Sequence, residues 1–309
     1  MQKLIPFRII PDRTNIKFIP NKNKGFAISL FLVFMSLFSL FLRGLNLGID
    51  FTGGIILELK TEQVISLSDI RYALNQMKIG DVSIQNFGSE KDLMIKIGVK
   101  DKSKTERTKI IETIKTTLEK ISPSNIDYRK VEFVGPQVGE ALIQNGVISI
   151  LLSFLAIMIY VWFRFEWQFG VGVVLALVHD IIVTLGFLSL VFLEFDLTTI
   201  AALLTVIGYS VNDSVVIYDR IRENLKKYKK MKFDEILNLS INQTLSRTIL
   251  TVLTTLLAAA AIVVFGGKNL YSFSITVFLG IVIGTYSSIY ISAPILTHLT
   301  SNTKNSEDY

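Results

Sequence analysis

Residues 197–218 read LTTIAALLTVIGYSVNDSVVIY, a run in which Asp213 is the only charge. A helix needs roughly 20 mostly apolar residues to cross a bilayer core about 30 Å thick, and this run has that length and that character. Within it Thr205, Tyr209 and Asp213 recur at four-residue steps, with Ser210 and Asn212 beside them. Hydroxyl, phenol, amide and carboxylate therefore crowd one side of the expected helix. Five further stretches share the apolar length: Gly25 to Leu42, Ala141 to Phe163, Trp167 to Leu193, Thr248 to Gly267 and about Leu270 to Ser292. The composition agrees, with 50% hydrophobic and only 19% charged residues among 309. The expected fold class is a polytopic α-helical membrane protein with six transmembrane helices, which excludes an ordinary soluble enzyme.

The divisions follow from these runs: a basic N-arm 1–24, helix 1 at 25–45, a polar insert 46–140, then helices at 141–163, 167–193 and 197–218. A basic loop 219–247, helices at 248–267 and 270–292, and a tail 293–309 complete the chain. The first apolar run exceeds the 7 to 15 residues expected of a signal peptide's core, and no small-x-small site precedes Asn46, so it is expected to be retained.

Orientation is read from Lys and Arg in short loops, which resist translocation. Lys3, Arg8, Arg13, Lys17, Lys22 and Lys24 face only Asp12 in the N-arm, which places the N-terminus in the cytoplasm. The loop 219–247 agrees, with Arg220, Arg222, Lys226, Lys227, Lys229, Lys230 and Lys232. The loop after helix 3 carries only Glu194 and Asp196 and falls outside. Both termini are then cytoplasmic, and the net charge of +6 is a topology signal, with no nucleic-acid partner implied.

The insert 46–140 holds 14 basic and 14 acidic side chains, and long domains translocate largely regardless of charge. It is expected outside, as a ferredoxin-like α+β domain. The pattern predicts strand Ile49 to Lys60, helix Ser66 to Lys78, strand Val82 to Phe87, strand Leu93 to Val99, helix Lys104 to Ile121 and strand Ile126 to Val134, the β-α-β-β-α-β order. Ile110, Ile114, Leu118 and Ile121 keep helical spacing, Ser103 stands three residues before Glu106 as a capping box, and Leu93, Ile95, Ile97 and Val99 alternate. Gly53 and Gly54 on one side and Gly135 and Pro136 on the other are candidate hinges, although simple connector turns would also use these residues.

Charges inside apolar helices cost about 2.5 to 3.5 kcal/mol on insertion scales and need a reason. Asp180, beside His179, falls near the middle of helix 3, and Asp213 in the inner third of helix 4. Arg247 opens helix 5 on the same side, so pairing with Asp213 is geometrically possible; Thr251 and Thr255 continue its row. Desolvation and a nearby guanidinium act in opposite directions on a carboxylate, and a site balanced between them can change protonation near neutral pH. A proton relay and a static ion pair satisfy that pattern equally, and Arg247 could instead reach lipid phosphate. His179 and Asp180 could simply hydrogen-bond to neighbouring helices. Ser272, Thr276, Gly280, Gly284 and Ser288 form a small-residue stripe for close helix packing, so helices 4, 5 and 6 are expected to meet. With no cysteine and only His179 and His298, neither a metal centre nor a cofactor is expected.

Taken in order, Gly48-Ile49-Asp50-Phe51-Thr52-Gly53-Gly54, Val134-Gly135-Pro136-Gln137-Val138-Gly139, His179-Asp180, the block from Ile207 to Val216 running on through Asp219-Arg220-Ile221-Arg222-Glu223-Asn224, Ser246-Arg247-Thr248 and Phe265-Gly266-Gly267 resemble the SecD/SecF family of protein-export membrane subunits. The resemblance covers nearly the whole chain, and lies with the smaller, SecF-type member. It implies a six-helix half of a pseudo-symmetric twelve-helix assembly completed by SecD, related to the resistance-nodulation-division transporters. The expected setting is the cytoplasmic (inner) membrane, with the SecYEG translocon, exported unfolded polypeptide and membrane lipids as partners. The family is thought to use proton flow to help draw exported polypeptide outward. Asp213 and Arg247 match its proton-transport positions, facing an acidic residue of SecD; Tyr209, Asn212, Thr251, His179 and Asp180 are possible polar support. The basic N-arm is less family-like. Half of a small-molecule proton antiporter and a passive scaffold are the competing functions; the insert is small for a drug pocket, and a scaffold gains nothing evident from the cost of inserting Asp213.

Overall fold

The computed structural model describes residues 14–301 apart from 78, 81, 88, 100–103, 123–124 and 268–269. Ser103, and with it the expected capping box, lies outside the described residues, as do most of the N-arm and of the tail. Six helices are long and apolar enough to cross a membrane. They are α1 (Lys22–Arg43), α5 (Pro136–Arg164), α6 (Trp167–Val191), α7 (Leu197–Lys227), α8 (Phe233–Phe265) and α9 (Tyr271–Ser287), the last continuing through a π turn, Ser288–Ser292, into α10 (Ala293–Ser301). Between α1 and α5 come β1 (Asn46–Leu47), the single turn α2 (Ile49–Thr52), β2 (Gly54–Thr61), α3 (Leu67–Gln76), β3 (Val82–Phe87), β4 (Ser89–Ile97), α4 (Lys104–Ile121) and β5 (Ile126–Val134); β6 (Glu194–Phe195) joins α6 to α7.

The insert forms one antiparallel sheet in the order β3-β4-β2-β5, with β2 pairing Ile55 to Ile97 on one side and Gly54 to Val134 on the other. Two helices pack on one face, giving the β-α-β-β-α-β unit. Alternation in β4 is converted directly into burial: Leu93, Ile95, Ile97 and the following Val99 sit in the core with Ile55, Leu57 and Leu59 of β2. Ile70 and Leu74 of α3 and Ile114 and Leu118 of α4 close the core from above.

In the bundle, α6, α7 and α9 are half-buried or better along their spans, whereas α5 and α8 show most of their apolar surface. The central three meet through small residues. A Cβ on Gly280 would lie 2.2 Å from a Val206 methyl, and one on Gly284 3.0 Å from Ser210. The stripe on α9 thus seats α7, and α8 packs against both.

Three expectations are corrected. The segment Ile49 to Lys60 is not one strand, because Gly53 takes φ +77°, a left-handed conformation open to glycine, and the chain before it winds into α2. This turn drives Phe51 into a core with Phe195, Leu188, Ile200 and Leu203. The basic stretch 219–247 is not a loop: α7 runs to Lys227 and α8 starts at Phe233. Apolar length measures how much helix lipid accepts, whereas here Ile221, Asn224, Ile236, Leu237 and Ile241 bury one face of a helical hairpin beyond it. The sixth span likewise does not stop at Ser292. Pro294 lacks an N–H donor, and the ladder adjusts through the π turn and continues.

Candidate functional site

The polar residues of the bundle converge where α6, α7 and α9 cross. Asp180 is 1% exposed, and its Oδ2 accepts hydrogen bonds from Ser210 of α7 at 2.6 Å and Ser287 of α9 at 2.8 Å. Its Oδ1 lies 3.1 Å from Nδ1 of His179, itself 5% exposed. Gly284 makes room for Ser210 at this point, since a Cβ there would stand 3.0 Å from the Ser210 Cβ and 3.2 Å from its Oγ. Below this knot Ser288 donates to the backbone oxygen of Ser210 at 3.3 Å, Ser214 and Ser288 share a hydrogen bond of 3.0 Å, and Tyr218 meets Ser292 at 2.6 Å. The π turn is what aims these serines at α7.

Asp213 follows Ser210 by one helical turn and is 3% exposed, with Oδ2 buried and without a hydrogen-bond partner. Arg247 lies near enough for its charge to act on Asp213, yet among the described residues no ion pair joins them, and Arg247 is exposed. Of the two arrangements the sequence left open, relay and static pair, the described residues hold no direct Asp213–Arg247 ion pair. Tyr209 packs against the α8–α9 cluster with its hydroxyl buried and unpartnered. Thr251, half-buried, donates back to Thr248 within α8 at 2.9 Å. Asn212 and Thr205 are exposed and point away from the knot, so the single polar face expected on α7 is two faces. Unpartnered buried polar atoms call for water, a proton or a partner. Among the described residues no three His, Asp or Glu side chains are grouped to hold a metal ion.

The other candidate residues lie at the sheet-domain end. Gly53 makes the left-handed corner already described, and Gly54 abuts Ile97 so closely that a Cβ would sit 2.4 Å from its carbonyl. Gly135 is extended, φ −75° and ψ 148°, with room for a side chain, and Pro136 starts α5. Gly53 and Gly54 are thus fixed in a tight corner, whereas Gly135 is not closely packed. Gly139 of α5 seats the backbone of Phe51, whose ring lies 5.7 Å from that of Phe195. β1 pairs in parallel with β6, Asn46 opposite Glu194 and Leu47 opposite Phe195. Asp50 accepts the Leu197 N–H at 3.2 Å, and Asp196 and Thr199 form a capping box, so two carboxylates satisfy the start of α7. Lys96 of β4 bonds Glu194 at 2.8 Å, with the pair 15% and 29% exposed. The helix that carries Asp213 thus begins inside the junction that holds the domain.

Sequence reasoning missed Ser210 and Ser287 as ligands of Asp180, and Lys96 with Glu194. Ser287 stands one position off the four-step stripe, which was the available signal. It also missed Asn238 and Asn242 of α8, which clamp the described end of the N-arm: Asn242 Oδ1 accepts from Ile16 N–H at 2.8 Å and its amide donates to Ile16 O at 2.9 Å, while Asn238 accepts from Phe18 N–H at 2.8 Å.

Comparison with known proteins places this architecture. Residues 113–302 match the family of protein export membrane proteins SecD/SecF, C-terminal region, and residues 38–63 match the SecD/SecF GG motif. The chain is similar to protein translocase subunit SecF of Rickettsia bellii, 55% identical over 96% of this chain and 97% of that one, and to that of Rickettsia prowazekii, 54% identical over 96% and 94%. Among solved structures it is similar to SecDF, a translocon-associated membrane protein from Thermus thermophilus, with a TM-score of 0.79 and 35% identity over 95% of this chain. It spans 40% of the length of that SecDF chain. A super-membrane-facing form of SecDF matches with a TM-score of 0.72. The chain belongs to the SecD/SecF family of protein-export membrane proteins, as a SecF-type member.

Proposed function

We propose that this chain works with SecD as one half of a proton-coupled motor that assists late steps of polypeptide translocation across the cytoplasmic membrane, acting beside the SecYEG translocon on unfolded exported chain. It is a translocase subunit, not an enzyme. Its termini face the cytoplasm and its sheet domain lies outside, in keeping with the basic residues of 1–24 and 219–247. Lipid surrounds α1 and the outer faces of α5 and α8, and SecD covers the face where Arg247, Asn212 and Thr205 are exposed.

The single observation that carries the reading is the buried, unpartnered carboxylate oxygen of Asp213, held near but not against Arg247. A carboxylate locked in an ion pair gives up its proton traffic; one left open beside a cation can load and unload. One charge moved through 100 mV yields about 2.3 kcal/mol, so a few protons suffice to bias a domain movement at the Gly53–Gly54 and Gly135–Pro136 corners. The coupling route is short, because α7 both carries Asp213 and begins at the junction with Asp50 and Phe51.

The test compares proton-motive-force-dependent export in inverted vesicles between wild type and Asp213→Asn, with assembly to SecD confirmed for both. Loss of the force-dependent increment in the variant is the expected result. An undiminished increment makes Asp213 structural and the reading wrong.

A further inference from the structure

Resting on that reading, we infer that His179 and Asp180 form a second proton-holding site, in which the two side chains share a proton and the free ring nitrogen of His179 is where it arrives. Asp180 is the carboxylate with the most side-chain partners inside the bundle, yet none of them is a fixed cation: two serine hydroxyls and one imidazole reach it. A bare charge so enclosed is costly. The pair is neutral overall only when it holds one ionisable proton beyond the neutral imidazole's own, either as carboxylate with imidazolium or as carboxylic acid with imidazole.

The hydrogen-bond inventory fits both forms. With Nδ1 donating to Asp180 Oδ1 at 3.1 Å, Nε2 of His179 is buried and has no partner, and that is where a proton can arrive. On its arrival Nδ1 passes its own proton to Oδ1, leaving a carboxylic acid and the other neutral tautomer, with charge conserved and no electron moved. Ser287 has two acceptors for one hydroxyl proton, Asp180 Oδ2 at 2.8 Å and Gly284 O at 3.0 Å. It can point at Oδ2 while the carboxylate is charged and turn to the helix once Oδ1 holds the proton, because Oδ2 is then an uncharged and weaker acceptor. Ser210 ties the same oxygen to α7, one turn from Asp213.

The surroundings leave few competing titratable groups. α1 has none between Lys24 and Arg43, and α5 has only the exposed Tyr160 between Glu140 and Arg164. α7 presents Tyr209, Asp213 and Tyr218, the last bonded to Ser292; α10 brings His298; the sixth span brings Tyr286 and Tyr290. The Tyr286 ring lies 6.2 Å from that of His179, and its hydroxyl donates to Gly25 O on α1 at 2.8 Å and contacts Ser29 at 3.1 Å. That row leads from His179 toward the N-terminal end of α1.

The experiment uses the complex assembled with SecD. Infrared difference spectra between acid and alkaline pH are recorded for wild type, Asp180→Asn, Ser287→Ala and Asp213→Asn, alongside force-dependent export and its pH profile, with His179→Gln added for the profile. Expected are loss of one carboxylic-acid band in Asp180→Asn, a displaced band in Ser287→Ala, a shifted profile in His179→Gln, and a fall of about tenfold or more in the force-dependent increment for Asp180→Asn. Asparagine keeps the volume and accepts from both serines, so a purely structural pin leaves bands, profile and increment in place. That outcome overturns the inference while the loss in Asp213→Asn preserves the proposed function; no loss in either variant overturns both. If Asp180→Asn does not assemble, Ser287→Ala decides: an unmoved band and profile count against the site, a moved one supports it.

Discussion

Asp213 was legible in the sequence because the cost of a carboxylate in an apolar run is large enough to demand a reason, whether relay or ion pair. Its environment was not. Periodicity says which residues share a face of one helix, but which serine of another helix reaches a given oxygen depends on crossing geometry that no single-helix pattern contains. Mid-helix serines and threonines usually bond back to their own backbone, as Thr205 does to Ala201 at 2.8 Å, so neither the place of Ser210 beside Asp213 nor that of Ser287 beside the stripe pointed to Asp180. Glycines in the stripe were a better signal, since their role is to be small. Enlarging one tests the packing: Gly280→Leu forces a side chain into Val206 and is expected to lower stability in detergent by about 1–3 kcal/mol, read as a fall in the unfolding midpoint. An unchanged midpoint would mean that α7 and α9 leave room for a side chain between Gly280 and Val206.

At the level of elements, hydropathy located six spans but misjudged their ends, because lipid-soluble length and helix length are different quantities. The hairpin of α7 and α8 continues on amphipathic faces, with Asn224 bonding Ser240 at 2.9 Å and Gln243 at 2.8 Å beyond the apolar windows. The insert was legible through alternation, except at Ile49 to Thr52, where alternating apolar residues also fit a single helical turn between two glycines. The contact least visible beforehand, Lys96 with Glu194, joins elements almost a hundred residues apart and fixes the sheet domain on the bundle. Partly buried, the bond is expected to contribute about 1–3 kcal/mol. Lys96→Met is predicted to increase proteolytic cutting at the β6 junction, and the exchange Lys96→Glu with Glu194→Lys to reverse most of that increase. Equal cutting in all three proteins would show that Phe51, Phe195 and the β1–β6 pair hold the domain unaided.

For the whole molecule the claims are topology and proton coupling. Because the chain has no cysteine, single reporters are unambiguous. Glu62→Cys in the sheet domain is expected to react with a membrane-impermeant maleimide added from outside, and Lys229→Cys in the basic hairpin only after the membrane is opened; the opposite pattern would invert the assigned orientation. The bundle on its own leaves α5 and α8 broadly uncovered, with Leu151, Leu155, Leu250 and Leu257 exposed, as expected of a half that meets lipid and a second half. The protons therefore have to be followed in the assembled complex. The most direct measurement is proton flux through the complex with SecD reconstituted in liposomes under an imposed pH gradient, comparing wild type with Asp213→Asn. The expected flux rises when translocating polypeptide is present and falls to the leak of protein-free liposomes in the variant. A variant that conducts as the wild type does would contradict it.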